Sequence, residues 1–124
     1  MARVLIVDDS ERNRKLARDV LRAAGFDTLE AGGGAAAIEL AAKELPDVIL
    51  LDLRLPDADG TEVARKLKDL SRTASIPVVA LSASPGGTDA DWLRAAGFAG
   101  YLEKPIDVAE FPGQVRRFCA GRRA

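Results

Sequence analysis

Short apolar runs alternate with amphipathic stretches along the whole chain. "RVLIV" (3–7), "DVILLD" (47–52) and "IPVVALS" (76–82) are continuous and apolar, the pattern of strands buried on both faces. "FDTLEA" (26–31) and "FAGYLEK" (98–104) read as two further strands. Between them fall helical patterns. Ser10 can cap a helix from Glu11 to Ala24, with Leu16, Val20 and Leu21 on one face and Gly25 as its stop. The glycines 32–34 lead into a helix of roughly 35–44. Residues 53–60 are a loop rich in Pro, Asp and Gly, with Asp57 and Asp59 in the turn before Gly60. "TEVARKLKDL" (61–70) is amphipathic and helical. Thr88 with Asp91 resembles a capping box opening a short helix that runs to Ala96 and stops at Gly97. A terminal helix spans 107–120, and Pro112-Gly113 fall early enough in it to delay or bend it. No repeat, low-complexity segment or linker stands out.

Five βα units in this length predict an α/β domain, a doubly wound five-stranded parallel sheet covered by helices on both faces. The strand order expected is 2-1-3-4-5, with ligands beyond the carboxyl ends of strands 1 and 3, where the order reverses. The expectation is one domain over 1–124, with no effector domain after the fifth unit.

The strand ends carry the chemistry. In "PDVILLDLRLPDADG" (46–60) a carboxylate, Asp52, closes a run of four large apolar residues. A buried charge is costly unless it is paired or holds a metal. Strand 1 ends in Asp8-Asp9, so the 2-1-3 order brings three acids to one edge, with Ser82 and Lys104 at the ends of strands 4 and 5. Three clustered acids repel one another, and a divalent cation and a lysine offset that repulsion.

Composition narrows the choice. The 124-residue chain has no histidine, which removes Ser-His-Asp and Cys-His nucleophile systems and histidine-ligated metals. Any phosphohistidine must then come from another protein. The carboxylates, hydroxyls, lysine and arginine that remain suit a hard cation such as magnesium. A net charge of −1 gives no global field for nucleic acid or membrane. A single cysteine, Cys119, excludes an internal disulfide and fits a reducing, cytoplasmic setting. No apolar run approaches the roughly 20 residues that span a bilayer.

"VLIVDDS", "VILLDLRLPDADG", "IPVVALSA" and "AGFAGYLEKPI" stand in the order and spacing of the receiver domains of two-component response regulators, which the chain resembles over essentially its whole length. It is similar in particular to stand-alone receivers of bacterial type. The resemblance implies a flavodoxin-like fold in which Asp52 accepts a phosphoryl group. It implies magnesium at Asp8, Asp9, Asp52 and the Arg54 backbone carbonyl. Ser82 and Lys104 would contact the phosphoryl group, Tyr101 would change position on activation, and Pro105 would follow the lysine through a cis peptide. The partners implied are a histidine kinase or histidine phosphotransfer protein as donor and a downstream signalling protein reached through helix 4, strand 5 and helix 5. The domain would act as a monomer or weak dimer, without nucleic acid or membrane. It would catalyse only its own phosphotransfer and slow autodephosphorylation, and so is not read as an enzyme.

Two rival readings are weaker. A haloacid-dehalogenase-like phosphohydrolase needs a second aspartate two residues after the nucleophile, where this chain has Arg54. A degenerate scaffold would lack some of the key residues, and all are filled. "SPGG" (84–87), after Ser82, predicts a loosened start to helix 4, the most mobile part of the unphosphorylated domain. Ala83 would leave the phosphoryl group open to water. Arg12, Arg14, Lys15, Arg18 and Arg22 crowd the first helix, either as a solvated face or as a docking face for an acidic phosphodonor.

Overall fold

A computed structural model describes residues 2–82, 90–103 and 106–123; of Ser82, residues 90–92, Glu103 and residues 120–123 it describes the backbone. Five strands alternate with five helices: β1 (Arg3–Val7), α1 (Glu11–Ala23), β2 (Asp27–Ala31), α2 (Gly34–Glu44), β3 (Val48–Asp52), α3 (Gly60–Asp69), β4 (Val78–Ser82), α4 (Ala90–Ala95), β5 (Gly100–Glu103) and α5 (Phe111–Arg123). Every strand pair is parallel and the order is β2-β1-β3-β4-β5, as the sequence pattern implied.

The central strands feed two cores by alternation. Leu5, Val7, Ile49, Leu51, Val78 and Ala80 pack with α2, α3 and α4. Their neighbours Val4, Ile6, Val48, Leu50, Val79 and Leu81 pack with α1 and α5. Burial on both faces explains why these strands read as unbroken apolar runs rather than alternating ones.

The structure departs from the sequence pattern in five places. Leu16 is 42% exposed, and Ala17 and Leu21 carry the core stripe of α1, with Val20 half-buried beside them. α2 starts at Gly34, so the glycine run is partly helix. β4 starts at Val78 and β5 at Gly100, two residues later than expected in each case. The last helix begins at Phe111 rather than 107. Residues 107–110 form a separate turn in which the Asp107 carboxylate accepts the Ala109 and Glu110 amides at 3.0 and 3.3 Å. A helix running through from 107 would need the N–H that Pro112 lacks, whereas a proline in a first turn costs nothing. The expected Thr88 cap lies outside the described residues.

The chain also contains a repeat that its strand and helix periodicity hides. "LRAAGF" occurs at 21–26 and again at 93–98. Each copy closes a helix in the same way. Gly25 and Gly97 adopt φ of 96° and 103°. The Gly25 and Phe26 amides donate to the Arg22 and Leu21 carbonyls, and the Gly97 and Phe98 amides donate to those of Arg94 and Leu93. That double bond pattern is the Schellman motif, which needs a residue at ease with positive φ.

Candidate functional site

The register sets the acids side by side. Val7 pairs with Leu51, so the next residues, Asp8 and Asp52, leave adjacent strands at the same level. Asp8 is 2% and Asp52 8% exposed, while Asp9 faces solvent. One carboxylate oxygen from each of Asp8, Asp9 and Asp52 lies within 4.8 Å of the others, the one cluster of potential metal ligands among the described residues. The donor set is all carboxylate oxygen, which fits magnesium or calcium and not a thiophilic ion. Carboxylates this close repel, so a cation among them is favoured.

Local bonds fix Asp8. Its amide donates to the Ala31 carbonyl of β2 at 3.1 Å. Its carboxylate accepts the Ser10 amide at 2.9 Å and the Asn13 side chain at 3.4 Å. Arg14 donates to its carbonyl at 2.6 Å while pairing with Glu30 at 3.3 Å. Asp52 accepts the Arg54 amide at 3.0 Å, so Arg54 contributes through its own N–H, a role the sequence did not suggest.

The loop after Asp52 is held at close quarters. The Gly60 amide donates to the Leu53 carbonyl at 3.1 Å. A Cβ on Gly60 would stand 2.7 Å from Leu53 Cα and 2.9 Å from the Asp52 carbonyl oxygen, so only glycine fits. Asp59 caps α3, accepting the Thr61 amide at 2.9 Å. Asp57 does not belong to that turn alone: its carboxylate reaches Gly34 and Ala35 at the start of α2. Those two amides, Gly34 first, hold its carboxyl below the usual aspartate range.

Ser82 ends β4, one strand from Asp52, with its backbone paired to Glu103. Tyr101 lies across from Ala80 on β5 and is 37% exposed. Lys104, Pro105, Ala83 and the 84–87 loop lie outside the described residues. Four of the five basic residues of α1 have polar partners, and Arg12 is exposed. Arg14 and Arg18 pair with Glu30 of β2, Arg18 at 2.9 Å, Lys15 pairs with Asp19 at 2.8 Å, and Arg22 donates to Thr28 at 2.9 Å. No helix among the described residues is long and apolar enough to cross a membrane.

Residues 4–116 match the family model for the response regulator receiver domain. The chain is 38% identical over 115 residues to the polar-differentiation response regulator DivK of Brucella anthropi, covering 93% of this chain and 94% of that protein. Among solved structures it resembles the chemotaxis protein CheY4 of Vibrio cholerae, at 29% identity and a TM-score of 0.86 over 95% of this chain and 98% of that one. It also resembles the receiver domain of a Pseudomonas aeruginosa sensor histidine kinase, at 28% identity and a TM-score of 0.87 over 96% and 98% of the two chains. That structure carries a magnesium ion coordinated in its active-site cleft.

Proposed function

This chain belongs to the response regulator receiver family of two-component signalling, and on that premise we propose that Asp52 is its phospho-acceptor. An Asp52 carboxylate oxygen attacks the phosphorus of a phosphohistidine on a histidine kinase or phosphotransfer protein. The P–N bond breaks, its electron pair returns to the imidazole, and an aspartyl phosphate forms. The donor histidine must lie on the partner, because this chain has none. Asp8, Asp9, Asp52 and the Arg54 carbonyl would hold magnesium, which when bound offsets the charge on the phosphoryl oxygens. The Arg54 amide orients the acceptor carboxylate. The Ser10 amide and the Asn13 side chain hold the Asp8 carboxylate. Ser82 and Lys104 receive the remaining phosphoryl oxygens. Tyr101 then turns inward, and the surface of α4, β5 and α5 changes for a downstream protein in the cytoplasm. Water later hydrolyses the acyl phosphate slowly, so the domain is a switch and not a turnover enzyme.

The observation that carries this reading is the convergence of three carboxylates, two of them buried, within 4.8 Å at the edge of a receiver sheet. Acetyl phosphate labelling in magnesium tests it. The protein should label, and the nearly isosteric Asp52→Asn should fold and not label. Undiminished labelling of Asp52→Asn would sink the assignment.

A further inference from the structure

The loop from Leu53 to Asp59 carries the Arg54 backbone, and its middle is fastened to a different helix from the one it leads into. Asp57 Oδ1 accepts the Gly34 amide at 2.8 Å, and Oδ2 accepts the Ala35 amide at 3.2 Å. α2 has no cap of its own, since its N-cap is Gly33 and offers no side chain. The missing side chains make room for the visitor. A Cβ on Gly33 would stand 2.9 Å from the Asp57 carboxylate. A Cβ on Gly34 would stand 2.7 Å from Val63 Cγ2 and 3.0 Å from Ala58 Cβ. The glycine run therefore serves as a seat for the acceptor loop, and a carboxylate at a helix N-terminus is doubly favoured, by the open amides and by the dipole.

We infer that Asp57 is a positioning residue for phosphoryl acceptance: by clamping the 53–59 loop to the start of α2, it helps hold the Arg54 backbone where its N–H meets Asp52 and from where its carbonyl would serve a bound metal. The inference rests on the reading of Asp52 as acceptor. The loop between β3 and α3 starts from the Leu53 N–H on the Leu81 carbonyl at 3.4 Å and the Arg54 N–H on Asp52, and its neck is closed by the Arg54–Asp59 bridge with the Gly60 N–H on Leu53. Leu55 and Ala58 pack against the core below it. Among the hydrogen bonds, those of Asp57 are the ones that fasten the turn of the loop to a helix other than the one it leads into. Releasing them leaves Asp8 and Asp9 in place and loosens the stretch that carries the Arg54 backbone.

The test compares Asp57→Ala, Asp57→Asn and Gly33→Ala with the parent protein. Asp107→Ala serves as a control, because it removes another loop carboxylate that holds two amides, at the turn before α5. Urea unfolding, magnesium affinity by calorimetry and the initial rate of acetyl phosphate labelling are read for each. Asp57→Ala should label about tenfold more slowly and bind magnesium more weakly, since displacements near 1 Å at a reacting centre cost up to about a hundredfold. Asp57→Asn keeps an acceptor oxygen and should recover most of the rate. Gly33→Ala should reproduce the loss by pushing the Asp57 carboxylate off its seat, and combined with Asp57→Ala it should add little. Asp107→Ala should lose stability and label at the parent rate. If Asp57→Ala is folded and labels at the parent rate, the inference falls while the acceptor assignment stands. If the parent protein itself does not label, the assignment falls and the inference with it.

Discussion

The two copies of LRAAGF form the same cap and feed different cores. Phe26 lies among the residues packed by α1 and α5, and Phe98 among those packed by α2, α3 and α4. The hydrogen bonds match because they depend on six consecutive residues and a glycine at positive φ. The destinations differ because the helices carrying the copies lie on opposite faces of the sheet. Each copy also meets a cation from a neighbouring helix, used differently. Arg116 of α5 donates to the Ala24 carbonyl at 3.3 Å and sits 5.2 Å from the Phe26 ring centre, closing the α1 end electrostatically. Lys68 of α3 lays its stem against Gly97 and donates past it, to the Ala74 and Ile76 carbonyls at 3.2 and 2.9 Å. A hexapeptide thus specifies how a helix stops, and the tertiary setting decides what the stop holds.

The largest effects should come from the rings. Phe26→Ala and Phe98→Ala each remove a side chain that is at least 95% buried, and each should cost about 3–5 kcal/mol by urea unfolding. The symmetry should break with Arg116→Ala, which should cost about 0.5–1 kcal/mol in the parent and less once Phe26 is alanine, where only the bond to the Ala24 carbonyl remains to be lost. A similar coupling of Arg116 to Phe98 would show that the two caps are not independent.

The glycines should give smaller and unequal losses. Alanine at positive φ costs roughly 1–2 kcal/mol. At Gly25 a new methyl group meets nothing within 4 Å, so that strain is the whole cost. At Gly97 it meets Lys68 Cγ at 3.2 Å, so Lys68 must shift and strain its two carbonyl bonds. Gly97→Ala should therefore unfold at lower urea than Gly25→Ala. In a Lys68→Ala background the two should cost the same. Equal losses in the parent would mean that Lys68 yields freely.

What could be read in the sequence follows the same division between local and distant causes. All five strands, their order and the stops at Gly25 and Gly97 were legible, because period, apolar runs and cap residues act over a few positions. So was the convergence of Asp8, Asp9 and Asp52, which needs only the strand order and where each strand ends. Leu16 misled because it and Ala17 sit one position apart at the stripe's edge, and volume suggested the larger residue where packing uses the smaller. Asp57 could not be placed, since its partners lie 22 and 23 residues away and glycines give no pattern to match. The pairing of Arg14 and Arg18 with Glu30 was hidden likewise, as it depends on β2 lying beside α1.

The smallest expected effect contrasts the distant cap with the local ones by pH. Two backbone amides, led by Gly34, hold Asp57 below its ordinary value, near 3.9. A carboxyl lowered by folding contributes its stabilisation above that ordinary value and loses it as pH falls through the lowered one. The start of α2 should thus stay capped through neutral and mildly acid pH and open only in stronger acid. The LRAAGF ends are closed by backbone bonds that carry no titratable group. Following amide shifts by NMR across the acid range, Gly34 and Ala35 should titrate together with a midpoint below that of an ordinary aspartate. The amides of Gly25, Phe26, Gly97 and Phe98 should stay flat over the same range. In Asp57→Asn the Gly34 and Ala35 titration should vanish while the protein remains folded. A Gly34 midpoint at or above the ordinary value would mean that its amide does not bind the charged carboxylate, and the contrast between the distant and the local caps would fail at its root.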